Sequence, residues 1–170
     1  LPALMFLSEE IAFLDNPGFS PMLMRRGIRM SLREGRFVYG GSTMTQQLVK
    51  NLFLSRERTL SRKFEEAVLV VAMEERLSKD QILELYLNCI EFGPDVWGIR
   101  AAARHYFDVE PTGLTPIEAS YLAALKPAPW WGERHRLSGR SPEAHWWNDR
   151  THELLLRAVE YGGHIEAKEV

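Results

Sequence analysis

A single cysteine, Cys89, stands among the 170 residues, which excludes an internal disulfide and argues against a Cys-based metal site. In an apolar helical stretch it reads as a small buried hydrophobe. The five histidines show no ligand spacing. No apolar run reaches the ~18 residues of a membrane span, and Leu1 to Leu7 lacks both the charged flank and the cleavage site of a signal peptide. The chain therefore reads as an excised fragment. A formal net charge of −2 excludes a globally basic nucleic-acid binder and leaves room only for local basic patches. Few stretches alternate with period two, and there is no repeat or low-complexity segment. What is present, 45% hydrophobic and 26% charged residues, suits one soluble domain over 1–170.

Helix signals recur along the chain. Thr43 with Gln46 and Ser78 with Gln81 form capping boxes; Thr115-Pro116-Ile117-Glu118 supplies an N-cap, an N1 proline and an N3 glutamate; Ser141-Pro142 opens a closing helix over about 141–161. Phe64, Ala67, Val68 and Val71 keep helical spacing while Leu69, Val70, Ala72 and Met73 fill the other faces. This predicts a core helix buried nearly all round. Ile99, Ala102, Ala103 and Tyr106 mark an amphipathic helix ending near Asp108, before a Pro111-Thr112-Gly113 loop.

Residues 19–39 differ in character. Arg25, Arg26, Arg29, Arg33 and Arg36 are interleaved with Met22, Leu23, Met24, Ile28, Met30 and Leu32, and only Glu34 opposes them. Arg26, Arg29, Arg33 and Arg36 share a helical face from which Met24 and Ile28 point away. The pattern suits either a solvated basic face over the core or a segment on anionic headgroups. Gly27 and Gly35 weaken a continuous helix and by themselves favour the first.

Gly40 to Asn51 crowds two glycines, three hydroxyls, two glutamines and a lysine into twelve positions. A glycine turn there feeds a helix whose first turn presents free N–H groups, an end suited to an anion. A well-capped surface helix is the plain alternative. Glu66 follows Arg62 by one helical turn and Lys63 by three residues, so an intrahelical ion pair is open for it. It also stands where the helix turns apolar, and a carboxylate entering a core usually has a partner or a task.

The string Gly40-Gly41-Ser42-Thr43-Met44-Thr45-Gln46-Gln47-Leu48-Val49-Lys50-Asn51 resembles the second signature of the glycosyltransferase domain of penicillin-binding proteins and of monofunctional peptidoglycan glycosyltransferases, glycosyltransferase family 51. These polymerases extend glycan strands from lipid II. Glu9-Glu10-Ile11-Ala12-Phe13, with Gly18 following, is similar to the family's first motif, Glu-Asp-x-x-Phe-x-x-His-x-Gly. Arg62-Lys63-Phe64-Glu65-Glu66 matches Arg-Lys-x-x-Glu, and Lys79 to Asn88 matches the fourth motif. Gly98 to Phe107, Pro-Ala-Pro at 127–129 and the helix before Gly162-Gly163 continue a likeness that covers nearly the whole chain.

The resemblance implies a mainly α, lysozyme-like helical domain with a small basic membrane-proximal lobe at about 19–39. It implies an N-terminal anchor in the full-length protein, on the outer face of the bacterial cytoplasmic membrane. The reaction would be inverting polymerisation, with the growing lipid-linked strand as donor, lipid II as acceptor and polyprenyl diphosphate as leaving group. Glu9 would be the general base and Glu66 the second catalytic carboxylate, acting near the diphosphate directly or through a divalent cation, Mg or Mn. Lys50, Arg58 and Lys63 would hold the diphosphate, and Ser42, Thr43, Gln46 and Gln47 would line the cleft. Partners would be lipid II, the glycan strand, the membrane surface and other cell-wall synthesis proteins, with no nucleic acid. Glu84, Tyr86 and Asn88 would brace the cleft. For each cation singly an exposed side chain stays open, and Ser42, Thr43 and Gln46 also fit as helix caps.

Two positions depart from the family's pattern: Glu10 stands for Asp, and Asn16, followed by Pro17, stands for His. An amide cannot exchange a proton near neutrality as an imidazole does. They support a rival reading, a lipid II-binding module of the same fold. A second rival is a lysozyme-like hydrolase using two carboxylates, for which Lys50, Arg58 and Lys63 together have no use.

Overall fold

The computed structural model describes residues 13–35, 41–55, 57, 59–125, 137, 149 and 151–156. Its fold is mainly α-helical, the class expected from the capping signals. Among the described residues no helix is long and apolar enough to cross a membrane. They form two compact units, one within Glu10–Tyr86 and one beginning at Leu87. The Pro-Ala-Pro at 127–129, the Ser141-Pro142 helix start and Arg36 lie outside the described residues; of the closing helix, residues 151–156 are helical.

In the first unit a turn from the buried Phe13 reaches Gly18, which has φ +87°, a backbone state that suits glycine. Ser20 then caps α1 (Pro21–Glu34), its hydroxyl accepting from Leu23 N at 3.3 Å, with proline at the first helical position. Gly35, left-handed at φ 62°, ends it. Gly27 does not interrupt this helix, contrary to the expectation from propensity. It is the one buried residue of α1, and a Cβ there would stand 3.1 Å from Gly41 Cα. Close backbone approach outweighs the ~1 kcal/mol that glycine costs a helix interior.

α2 (Met44–Phe53) starts on the expected capping box, and α3 (Leu60–Arg76) packs against it. The expectation that α3 is buried nearly all round is corrected. Only Glu66 and Val70 are buried, whereas Phe64, Val68 and Val71 are exposed, Phe64 by 72%. A helix buries as many faces as it has neighbours, and the extensive neighbour of α3 among the described residues is α2. The stripe taken out of water is Arg62, Glu66 and Val70, one residue per turn. α4 (Lys79–Cys89) begins on the second expected box, with Ser78 N donating to Gln81 Oε1 at 2.9 Å and Gln81 N to Ser78 Oγ at 3.3 Å. Leu48, Val49, Val70, Ile82 and Tyr86 are fully buried here.

The second unit carries a short antiparallel hairpin of β1 (Glu91–Gly93) and β2 (Val96–Trp97), too brief for a period-two signal. α5 (Ile99–Phe107) follows and ends on a left-handed Asp108 as anticipated; Pro111–Gly113 is a single 3-10 turn. α6 (Pro116–Leu125) has its box too, Thr115 N donating to Glu118 Oε2 at 2.8 Å. Ala119, Leu122, Ala123, Ala124 and Leu125 are buried along it. Tyr106 and Phe107 stack edge-on against Tyr121 at 6.0 and 5.6 Å between ring centroids, and Tyr106 Oη donates to Phe92 O at 3.0 Å.

Candidate active site

The start of α2 is assembled from its own hydroxyl and amide. Gln46 N donates to Thr43 Oγ1 at 3.2 Å, and Thr43 N donates to Gln46 Oε1 at 3.0 Å. The Thr43 hydroxyl spends its proton on Gly18 O at 2.7 Å, tying the first-motif turn to the second signature across 25 positions. Both side chains are buried. Of the four cleft residues, then, Thr43 and Gln46 are committed to the cap, while Ser42 is exposed and Gln47 half-buried. Gln47 Oε1 accepts from Tyr86 Oη at 3.1 Å, and its Nε2 lies 3.5 Å from Ser42 O.

A second, part-buried network lies beside that turn. Glu74 Oε1 accepts from Thr45 Oγ1 at 2.5 Å and from Lys79 Nζ at 2.8 Å, and the lysine sits 4.8 Å from the Phe13 ring centroid. A Cβ on Gly18 would meet Val70 Cγ1 at 2.6 Å and Glu74 Cγ at 2.9 Å. The turn after Phe13 is thus clamped to α2 by Thr43 and to α3 by contact. Asn16, where the family pattern has His, is used locally: its Oδ1 accepts from Gly18 N at 2.7 Å, an Asx turn.

The charged centre lies on α2 and α3. Glu66, buried at 2% exposure, accepts from Arg62 Nη1 at 3.0 Å and from Lys63 Nζ. The intrahelical ion pair is therefore real, and it is not a surface one: the Glu66 side chain is 3% exposed, Arg62 17% and Lys63 49%. Lys50, near the end of α2, faces the same group. Burial pulls its pKa below 10.5, Glu66 pulls it back up, and Arg62 and Lys63 push it down. Three cations thus share one carboxylate. Among the described residues Arg62 Nε is moreover buried without a hydrogen-bond partner, a donor left over for a bound acceptor. Such a centre is built for a multiply charged anion.

Lys50, Lys63 and Glu66 are brought together as expected; Glu9 and Arg58 lie outside the described residues. Arg62 was legible only as an ion-pair partner, and its orphan donor has no sequence signal. Among the described residues this centre offers one carboxylate, both its oxygens are engaged by cations, and no cluster of three His, Cys, Asp or Glu occurs.

The family model described as transglycosylase matches residues 1–148. The chain is 46% identical over 123 residues to a biosynthetic peptidoglycan transglycosylase of Alcanivorax borkumensis, covering 72% of the chain and 50% of the relative. It is 42% identical over 133 residues to the like-named protein of Nitrosomonas eutropha, 78% of the chain and 54% of the relative. For that of Laribacter hongkongensis the identity is 45% over 150 residues, 88% and 60%. The chain spans half to three-fifths of the length of these relatives.

Proposed function

The chain belongs to the transglycosylase family, and from that premise we propose that it polymerises lipid II into peptidoglycan strands. The observation that carries the reading is the buried Glu66 surrounded by Lys50, Arg62 and Lys63, a net positive centre with an unused guanidinium donor. The acceptor's 4-hydroxyl attacks the anomeric carbon of the lipid-linked strand and Glu9 takes the hydroxyl proton. The carbon–oxygen bond to the diphosphate breaks with inversion, and its electron pair leaves on the diphosphate. Charge developing on that group is what Lys50, Arg62, Lys63 and Arg58 are suited to stabilise. Glu66 keeps the cations gathered while the site is empty. A divalent cation would have to displace Arg62 or Lys63 from Glu66 and take its other ligands from substrate, so no step is assigned to one. Of the cleft residues, Ser42 is exposed and Gln47 half-buried, whereas Thr43 and Gln46 are buried in the cap.

α1 supports a membrane-facing role: Met22, Met24, Ile28 and Leu32 are all at least half exposed alongside its arginines. The corresponding location is the cell envelope, at the outer face of the cytoplasmic membrane, where other wall-synthesis proteins would be its neighbours. A water-using hydrolase needs no such cationic centre.

The test is incubation with labelled lipid II in detergent and separation of products by length. Growing strands are expected, with Glu9→Gln lowering their rate roughly 10²–10⁴-fold, as for loss of a general base. Tight lipid II binding without product under every metal and detergent condition would establish the binding-module reading instead, and shortening of preformed glycan would establish the hydrolase.

A further inference from the structure

Glu74 stands between the third and fourth motifs, so the resemblance assigns it nothing. Its side chain nevertheless reaches a residue of each of the other three motifs. Oε1 accepts from Thr45 Oγ1 of the second at 2.5 Å and from Lys79 Nζ of the fourth at 2.8 Å, and Oε2 lies 2.7 Å from the same Nζ. Its stem closes on Gly18 of the first, where a Cβ would stand 2.9 Å from Glu74 Cγ and 3.2 Å from Oε1. Lys79 completes the ring of contacts by lying over the wholly buried Phe13, 4.8 Å from the ring centroid.

This is a costly way to fill space. The Glu74 side chain is 12% exposed and that of Lys79 21%, so both charges are largely out of water, and apolar side chains of like size would pack the same volume without that cost. What the charges and the hydroxyl add is direction. The carboxylate is oriented from two sides, by Thr45 and by Lys79, and the lysine is held in turn over Phe13. The turn from Phe13 to Gly18 is thereby fixed to α3, besides being tied to α2 through Thr43. α3 also carries Glu66, eight residues before Glu74 and so about 12 Å away along the axis at 1.5 Å per residue. One helix thus holds the cationic centre near its start and the first-motif turn near its end.

We propose that Glu74 is a positioning residue for strand synthesis: through Thr45, Lys79 and Gly18 it fixes the Phe13–Gly18 turn, the end of the motif that opens with Glu9, relative to the cations around Glu66. This role rests on the transfer reading of the site. A base and a leaving-group centre carried on different segments must be registered to each other, and a misplacement of about 1 Å costs up to about 100-fold in rate.

Kinetics of strand growth from labelled lipid II are compared for the unmodified protein, Glu74→Gln, Lys79→Met and the double variant, in which neither charge is left unpaired. The control is Glu110→Gln, which breaks the exposed pairs with Arg100 and Arg104 in the second unit. Urea midpoints, affinity for farnesyl diphosphate and amide exchange at Gly18 are measured on the same proteins. Each single variant is expected to lower both midpoint and kcat. The double variant should recover the midpoint while kcat stays about 10–100-fold down, with KM and farnesyl diphosphate affinity within about two-fold and the Gly18 amide exchanging faster. Glu110→Gln should keep kcat. Recovery of kcat together with the midpoint overturns the proposal. So does a double variant whose midpoint stays low, or whose diphosphate affinity falls in step with kcat, since either makes Glu74 a structural support alone. An unmodified protein that makes no strands sinks the transfer reading and the positioning role with it. Amide exchange at Gly18, measured without substrate, separates that failure from the failure of Glu74 to hold the turn.

Discussion

α1 and α2 both start on a hydroxyl cap and both mix cations with apolar side chains, yet α2 buries five of its ten residues and α1 one of its fourteen. The cap decides where each helix begins; burial decides how firmly it is held. α2 carries Met44, Leu48 and Val49 into the core and is cross-tied by Thr43 to Gly18 and by Thr45 to Glu74. α1 has its caps and a glycine contact. Local opening free energy follows buried area and tertiary hydrogen bonds, so α1 belongs at the low end of the unit and α2 near its global stability. Of the cations to which we assign diphosphate binding, Lys50 stands on the firm helix and Arg62 and Lys63 on its partner α3, while the lipid-facing ones stand on the loose helix. Chemistry that must position charge is placed where the backbone does not move.

The strongest way to break that contrast is Gly18→Ala. Positive φ strain and contact at 2.6 Å with Val70 together are expected to lower unfolding free energy by about 2–4 kcal/mol in urea titration. A loss under about 1 kcal/mol would show the turn free to move away from α3. Next is a matched pair of cap deletions. Thr43→Ala loses the α2 cap and leaves Gly18 O without its donor, an expected cost of about 2 kcal/mol seen as a shift of the global midpoint. Ser20→Ala loses the α1 cap alone, worth about 1 kcal/mol in a helix. Its effect should show as faster amide exchange confined to Pro21–Glu34, with the global midpoint nearly unmoved. Equal midpoint shifts would mean α1 is as firmly held as α2.

The smallest effect is of opposite sign. Burial holds the Lys50 pKa below its unfolded value near 10.5, so between those two pH values the unfolded chain binds more protons than the folded one. Stability contributed by this group therefore rises with pH through that window, and below it the folded state carries the full cost of a desolvated charge. Lys50→Met should stabilise the protein slightly at neutral pH, an advantage that fades as pH approaches 10.5, while removing donor binding. Destabilisation at neutral pH would show that Glu66 more than repays the burial.

The caps were legible because they are local: Thr43–Gln46, Ser78–Gln81 and Thr115–Glu118 each lie within one turn, and the structure makes all three boxes. Lys63 and Glu66 were legible for the same reason. The outward face of α3 was not, since a run of apolar residues says that a helix could be buried and nothing about how many neighbours it has. Nor was Glu74, whose ties to Thr45 and Lys79 depend on three helices meeting. The unused Nε of Arg62 could not be read either, because an unmet donor is a property of its surroundings.

The contact of Gly27 with Gly41 bears on how substitution data for this chain should be read. A Cβ at position 41 would meet Leu23 O at 3.0 Å and Gly27 Cα at 3.3 Å, so the two positions admit side chains only if the backbones part. Gly41 lies inside the signature string, and in a mutational scan scored by activity it would fall among the residues that handle substrate. Its intolerance originates instead in a joint between two glycines, where the backbone before α2 meets that of α1. The diagnostic is epistasis: position 41 should share its pattern of tolerated substitutions with position 27, and with neither Lys50 nor Glu66.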